Sequence, residues 1–210
     1  MGWDVPKIHG TDEPISRAEI ATNMHVDFNF QLDSDGEDRD EEAFAIVELV
    51  EDQLEDLDYA IVRLENTPGR RFGITPIAAE DPPRRSTICI IGHPAGLPKR
   101  VDAGLASDYD DFRIVYADVD TKSGSSGSGI LTSPRGPIVG VHTTGGCDNP
   151  LIRTNHGIRI SRLLEASPTL KKLAVTSKCR GKWGMLPRLT RCQRIEPPPG
   201  LAAGVADDGG

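Results

Sequence analysis

A serine set among glycines is the strongest chemical signal in this chain. The run Asp120–Ile130 reads DTKSGSSGSGI, with Ser126 directly before Gly127. Small residues let a carbonyl carbon approach a hydroxyl, and a glycine turn can direct several backbone N–H groups at one point. A flexible Gly/Ser linker has a similar composition, but this run is short and lies between an expected strand ending at Tyr116 and the apolar pair Ile130–Leu131. The pattern therefore indicates a site for acyl transfer.

Two further residues are of types that could assist such a serine. Asp58 opens the apolar run Tyr59–Leu64, and a carboxylate that enters a core must be hydrogen-bonded or paired. Orienting a catalytic imidazole would satisfy it. His142 follows the apolar segment Pro137–Val141 and precedes Gly145–Gly146. It is therefore either a core residue or part of a pocket wall.

Together these segments resemble the trypsin/chymotrypsin superfamily, and most closely its bacterial branch with the glutamyl endopeptidases. In that branch the serine lies in a T-x-x-G-x-S-G-S-P loop, followed by a strand ending G-[IV]-H and a glycine pair. This chain carries these elements at Thr121–Ser128 and Gly140–Gly146, with Gly129 where the family usually has proline. The D-[YF]-A-[IL] element of the family aspartate matches Asp58–Ile61, and the structural I-G-H-P segment matches Ile91–Pro94.

The resemblance implies an all-β, chymotrypsin-like double β-barrel and a serine endopeptidase that needs no cofactor or metal. Ser126 would be the nucleophile, Asp58 would orient the base, and the N–H groups of Gly124 and Ser126 would form the oxyanion hole. Thr121 and His142 stand where glutamyl endopeptidases contact an acidic P1 side chain. Cleavage after Glu or Asp is therefore the specificity hypothesis.

The catalytic histidine stays open among three alternatives. His9, which we place first, precedes Asp58 in the family's order, 49 positions upstream (58 minus 9). His25 lies in a T-N-x-H-V match, but it falls on the polar face of an alternating strand with no room for the turn that usually follows the base. In the third alternative Gly2–Val5 is a decayed motif, with Asp4 where histidine belongs. The chain would then be an inactive trypsin-like domain that binds proteins or peptides through the same cleft.

Short strands separated by turn residues are expected to position these residues. Strict alternation over Met24–Asp33 predicts a half-buried strand, and the capping-box pattern Ser16–Glu19 predicts a short helix over 17–23 before it. A C-terminal helix is expected over Ser161–Val175, split at Pro168. Further strands are expected at Phe44–Leu49, Tyr59–Leu64, Thr87–Ile91, Val101–Leu105, Arg113–Tyr116, Gly129–Thr132 and Ile138–His142. This spacing is typical of an all-β barrel or sandwich.

The domain organisation follows from where these patterns start and stop. Residues 1–175 are predicted to form the peptidase domain, and residues 176–210, with Pro197–Gly200, a low-complexity, disordered tail. Family members usually have two or more strands before the base, whereas eight residues precede His9. The first barrel is therefore expected to be truncated, and the chain to be a fragment, a mis-started reading frame or a degenerate homologue.

Composition excludes several classes of protein. No apolar run approaches the roughly 20 residues that span a bilayer, so a membrane protein is not expected. The N-terminus lacks a basic cap and an apolar segment, which makes the cytoplasm the default expectation. The cysteines have no metal-like C-x-x-C spacing, and Cys89 is expected to be a buried free thiol.

Charge and aromatic content do not indicate a nucleic-acid partner. The formal net charge is −8, with acids crowded over residues 33–58 and bases over residues 171–194. Neither segment is interleaved with aromatics in the manner of single-strand nucleic-acid platforms. We therefore expect no nucleic-acid partner, and the resemblance implies a protein or peptide substrate; a monomer is expected.

Overall fold

The structure, a computed structural model, describes residues 6–54, 57–133, 136–146 and 154–175. The predicted disordered tail over 176–210 and the Gly2–Val5 segment lie outside these residues, as do Cys147, Cys179 and Cys192. The predicted domain boundary at residue 175 stays a prediction.

Strands dominate the described residues. The strands are β1 His25–Phe28, β2 Glu42–Gln53, β3 Tyr59–Leu64, β4 Ile77–Ala78, β5 Thr87–Gly92, β6 Arg100–Leu105, β7 Asp108–Tyr109, β8 Arg113–Tyr116, β9 Gly129–Leu131, β10 Ile138–Thr144, β11 Asn155–Arg159 and β12 Ala174–Val175. The helices are α1 Arg17–Thr22, α2 Gly69–Phe72, α3 Ile160–Ala166 and α4 Pro168–Leu173, with a 3-10 turn at Pro94–Gly96. The prediction of an all-β fold with a short N-terminal helix and a split C-terminal helix is confirmed.

The first sheet is three-stranded and antiparallel, in the order β1-β2-β3. Helix α1 precedes it and begins where the capping pattern predicts, because the Ser16 hydroxyl accepts the Glu19 N–H at 3.2 Å. Strand β1 is shorter than the predicted strand over Met24–Asp33. It ends before Asn29, whose φ of 69° is left-handed and whose side-chain amide donates to the Asp40 carbonyl at 2.8 Å.

Three aromatic rings pack together beside the first sheet. Phe28 of β1 lies 5.2 Å from Phe44 of β2 and 4.8 Å from Phe72 of α2, measured between ring centroids. Edge-to-face and tilted ring pairs of this kind stabilise a small core. In the part of the chain that the structure describes, the first barrel therefore consists of three strands with this aromatic cluster.

The second sheet closes into a barrel. Its main path runs β6-β5-β9-β10-β11-β8-β7, and its two end strands are consecutive in the chain, joined by Ala106 and Ser107. The Ala106 N–H donates to the Ser86 carbonyl at 3.0 Å, just before β5. The Ser107 N–H donates to the Val115 carbonyl of β8 at 2.8 Å. One continuous stretch of chain therefore pairs with β5 through its first half and with β8 through its second half, which brings the two ends of the sheet together.

The main core fills this barrel and extends toward the first sheet. Leu57, directly before β3, belongs to it and is 5% exposed. Its other members are Ala78, Ile88, Ile90, Ala106, Ile114, Tyr116, Val119, Ile130, Val139, Ile158, Ile160, Leu163 and Leu164. Cys89 of β5 is fully buried, as predicted, and burial raises the pKa of its thiol.

The C-terminal segment ends in the second sheet. Helix α3 ends before Ser167, whose hydroxyl accepts the Leu170 N–H at 3.0 Å and caps α4 at Pro168. Strand β12 then pairs in parallel with β4, with Ala174 opposite Ile77.

Replacing Asp81 with alanine is expected to lower the free energy of unfolding by about 2 kcal/mol. The Asp81 carboxylate, 13% exposed, accepts two N–H groups of Arg159 at 2.7 and 3.0 Å and the Ser161 N–H of α3 at 3.1 Å. Its removal leaves a half-buried guanidinium without its ion pair. Urea denaturation of D81A measures the loss. The matched variant E165A removes only the exposed pair of Glu165 with Arg162 and should change stability by less than about 0.5 kcal/mol. Equal losses of stability in D81A and E165A would contradict the stabilising role assigned to the ion pair of Asp81 with Arg159.

Candidate active site

The glycine-rich loop between β8 and β9 presents Ser126 to solvent. Two left-handed glycines shape the loop, with φ 91° at Gly124 and φ 88° at Gly127. The Ser125 N–H donates to the Lys122 carbonyl at 3.0 Å, and the Ser128 N–H to the Ser125 carbonyl at 3.1 Å. These two turns leave the Ser126 side chain exposed at the top of the loop.

Strand β10 holds the other side of this loop. The Gly127 N–H donates to the His142 carbonyl at 2.8 Å, and the His142 N–H donates to the Ser128 carbonyl at 2.9 Å. The register of β10 against β11 shifts between His142 and Thr144, which makes Thr143 a bulge residue. The Ser126 hydroxyl donates to the Thr143 carbonyl at 3.1 Å. The structure thus brings Ser126 and His142, two of the predicted site residues, to one place.

The 3-10 turn at Pro94–Gly96 holds the loop from a third side. The Ala95 N–H donates to the Ser123 carbonyl at 2.7 Å. A Cβ at Gly124 would lie 3.3 Å from the Ala95 nitrogen, and a Cβ at Gly92 would collide with the Ser128 hydroxyl. The I-G-H-P segment is therefore packed against the serine loop, and both glycines are needed for that close approach.

Four backbone N–H groups of the loop have no acceptor within the described ranges, those of Thr121, Ser123, Gly124 and Ser126. The last two lie beside the Ser126 hydroxyl, whereas the N–H groups of Ser125 and Gly127 are bonded. A trans peptide directs its C=O and N–H to opposite sides. Since the Ser123 carbonyl faces Ala95, the Gly124 N–H of the same peptide points away from that turn. Two free donors beside an exposed hydroxyl can bind a negatively charged oxygen.

Polar groups of Thr121 and Asn155 lie beside the loop, close to Gly145. The Thr121 hydroxyl oxygen is buried and meets no hydrogen-bond partner among the described residues. A Cβ at Gly145 would lie 3.4 Å from this oxygen and 3.8 Å from Asn155 Oδ1. Asn155, fully buried, accepts the Gly146 N–H at 2.8 Å and donates to the Val119 carbonyl at 2.6 Å. It thereby links Gly146 to Val119 beside the loop, a role that no sequence pattern indicates.

His142 is 1% exposed, and its Nδ1 is hydrogen-bonded to the hydroxyl of buried Tyr116. Burial lowers the pKa of His142, and the positive charge of nearby His156 acts in the same direction, while a hydrogen bond to the His156 backbone opposes them. His156 lies on the neighbouring strand β11, with a buried Nδ1 that has no partner among the described residues. Burial, followed by the charge of Arg113, also lowers the pKa of His156. Neutral imidazoles are therefore favoured here near neutral pH.

Asp58 lies directly before β3, and its side chain is exposed. Its neighbours Leu57 and Tyr59 pack into or against the main core. Asp58 itself has a left-handed φ of 46°. Its carboxylate makes no hydrogen bond or ion pair with any residue that the structure describes.

All five histidines are described, and none of their rings hydrogen-bonds Ser126 or Asp58. His9 is exposed and makes no side-chain bond within the described ranges. His25 lies on β1, 60% exposed, with Nε2 3.4 Å from Asp27 Oδ1. The other three rings have partners of their own: His93 Nδ1 pairs with the Leu97 carbonyl, His142 with Tyr116 and His156 with Thr154. The identity of the base stays a prediction.

Among the described residues no three His, Cys, Asp or Glu side chains gather as metal ligands. Of the helices described, none is both long enough and apolar enough to span a bilayer.

Comparison with known proteins gives one family. The model of the trypsin-like peptidase domain matches residues 12–141, more than half of the chain. Among solved structures, a Glu endopeptidase in complex with MPD is 23% identical, with 58% of this chain and 60% of that chain covered and a TM-score of 0.49. The inactive form of the Rv3671c protease of M. tuberculosis is 15% identical, with 64% and 68% covered and a TM-score of 0.48. No curated protein gives a significant match. The chain spans about 60% of the Glu endopeptidase chain.

Proposed function

Because this chain belongs to the trypsin-like peptidase domain family of serine proteases, we propose that it hydrolyses peptide bonds through an acyl-enzyme on Ser126. The observation that supports this proposal most is the pair of unbonded N–H groups at Gly124 and Ser126, next to the exposed Ser126 hydroxyl.

In the proposed reaction the Ser126 oxygen attacks the scissile carbonyl carbon as a base removes its proton. The resulting oxyanion accepts the Gly124 and Ser126 N–H groups. The base then protonates the leaving amine, and water hydrolyses the acyl-enzyme by the same steps in reverse. Asp58 would hold the base in the tautomer that accepts the serine proton.

The base in this proposal is His9, with His25 as the alternative. Hydrogen bonds of catalytic groups are often long without substrate and shorten in the substrate complex. Either histidine must therefore approach Ser126 when the cleft is occupied, and the Ser126 hydroxyl must leave the Thr143 carbonyl.

Acidic P1 specificity is the second part of the proposal. The buried Thr121 hydroxyl has no partner among the described residues, and His142 lies on β10, the strand that holds the serine loop. A hydroxyl and an imidazole can each donate a hydrogen bond to a carboxylate, and the His142 ring would do so on leaving the Tyr116 hydroxyl or the His156 carbonyl. A buried donor left unpaired is costly, and a P1 carboxylate would satisfy it.

Replacing Thr121 with valine is expected to reduce the preference for P1 Glu over P1 Gln by about tenfold in kcat/KM, since one hydrogen bond to a charged group is lost. The preference should also rise as pH falls. Because the pKa of His142 lies below the usual 6.5, its ring is neutral at neutral pH and gains a charge, and a stronger bond to the carboxylate, only in more acidic solution.

Matched fluorogenic peptides assayed across this pH range measure both effects. The control is T87V. Thr87 begins β5, whereas Gly92 at the other end of this strand adjoins Ser128 of the serine loop. T87V therefore removes a hydroxyl far from the serine loop and should leave the preference unchanged. Cleavage only after Arg, Lys or large apolar residues would refute acidic specificity.

A second candidate is an inactive trypsin-like domain that binds peptides through the same cleft. The absence of any bond from the five imidazoles to Ser126 or Asp58 favours it. A fluorophosphonate probe separates the two candidates, because it reacts only with an activated serine. Labelling of folded wild type supports the peptidase. Peptide binding without labelling supports the binding domain.

A further inference from the structure

Asp58 is held between two anchored neighbours. Leu57 is 5% exposed in the main core, and the Tyr59 ring packs against the same core. The left-handed backbone at Asp58 is unusual for a residue with a side chain and persists only where its surroundings impose it. Whatever anchors Leu57 and Tyr59 therefore sets the position of the Asp58 backbone, from which the carboxylate projects.

The anchor of Tyr59 is a carboxylate on the neighbouring strand. Glu51 of β2 accepts the Tyr59 hydroxyl at 2.7 Å through Oε1 and the Thr169 hydroxyl at 2.8 Å through Oε2. We name Glu51, Tyr59 and Thr169 the Glu51 clamp. Thr169 lies on α4, 118 positions from Glu51 in the chain. The clamp thus connects two strands of the first sheet to the C-terminal helix.

The charge state of the clamp strengthens both bonds. Burial alone would raise the pKa of Glu51, but hydrogen bonds from Ser167, Tyr59 and Thr169 outweigh it and lower that pKa. Burial, the hydrogen bond to Glu51 and the charge of Glu51 raise the pKa of Tyr59 to about 12. The acid stays ionised and the phenol stays a donor, and such charge-assisted bonds are about twice as strong as neutral ones.

The same helix leads directly to the barrel that carries Ser126. Helix α4 is followed by β12, which pairs with β4, and β4 pairs with β10 at Ile138. Strand β10 holds the serine loop through His142. A chain of hydrogen-bonded elements therefore runs from the clamp to the nucleophile.

We propose that Glu51 is a positioning residue, which through Tyr59 and Thr169 holds Asp58 in register with Ser126. The proposal rests on the proposed function, because it assigns Glu51 a role in setting a catalytic carboxylate. Glu51 does not touch substrate, so its loss should affect the rate of chemistry and leave substrate binding unchanged.

The test compares single variants by steady-state kinetics, normalised to the folded fraction. E51A should lower kcat about tenfold or more with KM within twofold, because displacements near 1 Å at a catalytic group cost up to about 100-fold. T169A should lower kcat about threefold, and T169S, which keeps the hydroxyl, should match wild type. The matched control E48A lies on the same strand and loses only the exposed pair of Glu48 with Arg63. Its kcat should be unchanged.

Hydrogen exchange tests the role of Glu51 without requiring catalytic activity. It therefore distinguishes failure of this proposal from failure of the proposed function. Amide exchange over residues 57–61, read by mass spectrometry, should accelerate in E51A and T169A but not in E48A or T169S. Accelerated exchange in a chain whose wild type neither cleaves nor labels would support the clamp and reject the peptidase. Unchanged exchange in E51A, or an unchanged kcat in an active enzyme, would overturn the proposal.

Discussion

Ser126→Ala is expected to abolish covalent labelling by a fluorophosphonate and to lower kcat/KM for peptide hydrolysis by about 10⁴-fold or more. The substitution removes the attacking oxygen while leaving the Gly124 and Ser126 N–H groups in place, so only oxyanion stabilisation and binding remain. In-gel fluorescence of the labelled protein, together with fluorogenic peptide assays, measures the loss.

The matched control for S126A is S123A. Ser123 is exposed in the same loop and holds the 3-10 turn through its main-chain carbonyl rather than its hydroxyl. S123A should therefore be labelled like wild type. Labelling that persists in S126A would place the reactive group elsewhere and reject the assigned nucleophile.

The same labelling assay distinguishes the two candidate bases. H9A should lose labelling by about 10³-fold or more if His9 accepts the serine proton, while H25A should retain it. The reverse result would assign the base to His25. Wild-type labelling that survives both substitutions would exclude both histidines.

Gly140→Ala is expected to destabilise the barrel by about 3 kcal/mol. Gly140 lies in the middle of β10, opposite Arg159 of β11. A Cβ there would lie 2.5 Å from the Ile158 backbone carbonyl and 3.1 Å from the Ile114 side chain. The carbonyl belongs to the paired strand and cannot withdraw without loss of strand pairing. The midpoint of urea denaturation reports the change.

Gly129→Ala provides the comparison. Gly129 lies on the adjoining strand β9, opposite Val141, and the nearest atoms to an added Cβ are side-chain carbons at 3.7 Å. That distance is ordinary van der Waals contact, so G129A should change stability by less than about 1 kcal/mol. A similar loss in both variants would show that steric contact does not explain the effect at Gly140.

Local patterns predicted most strands because their residues alternate or form short apolar runs. Strand β3 has the predicted bounds Tyr59–Leu64, and β8 has the predicted bounds Arg113–Tyr116. Strand β11 was missed. It contains Asn155, His156 and Gly157 in a row, and its pairing is set by β8 and β10 rather than by its own alternation. Such a strand is recognisable only once its neighbours are in place.

Part of the candidate active site could likewise be predicted from local sequence, and part could not. The loop around Ser126 and the glycine after it could be predicted because left-handed turns select glycine. The acceptor of the Ser126 hydroxyl, the Thr143 carbonyl, could not, because it depends on a bulge. Glu51 lies in an acid-rich segment and resembles its neighbours in sequence. Its bond to Thr169, a residue far along the chain, arises only from the tertiary fold.

The turn at Pro94–Gly96 holds the serine loop through main-chain atoms alone. Ala95 and Gly96 both have left-handed φ values, 57° and 69°, and it is the Ala95 nitrogen that meets the Ser123 oxygen. A hydrogen bond between main-chain atoms tolerates most side-chain replacements near it. It depends instead on the left-handed φ values that direct those atoms. Homologues can therefore diverge widely in the residues that flank the nucleophile while inheriting the same turn geometry.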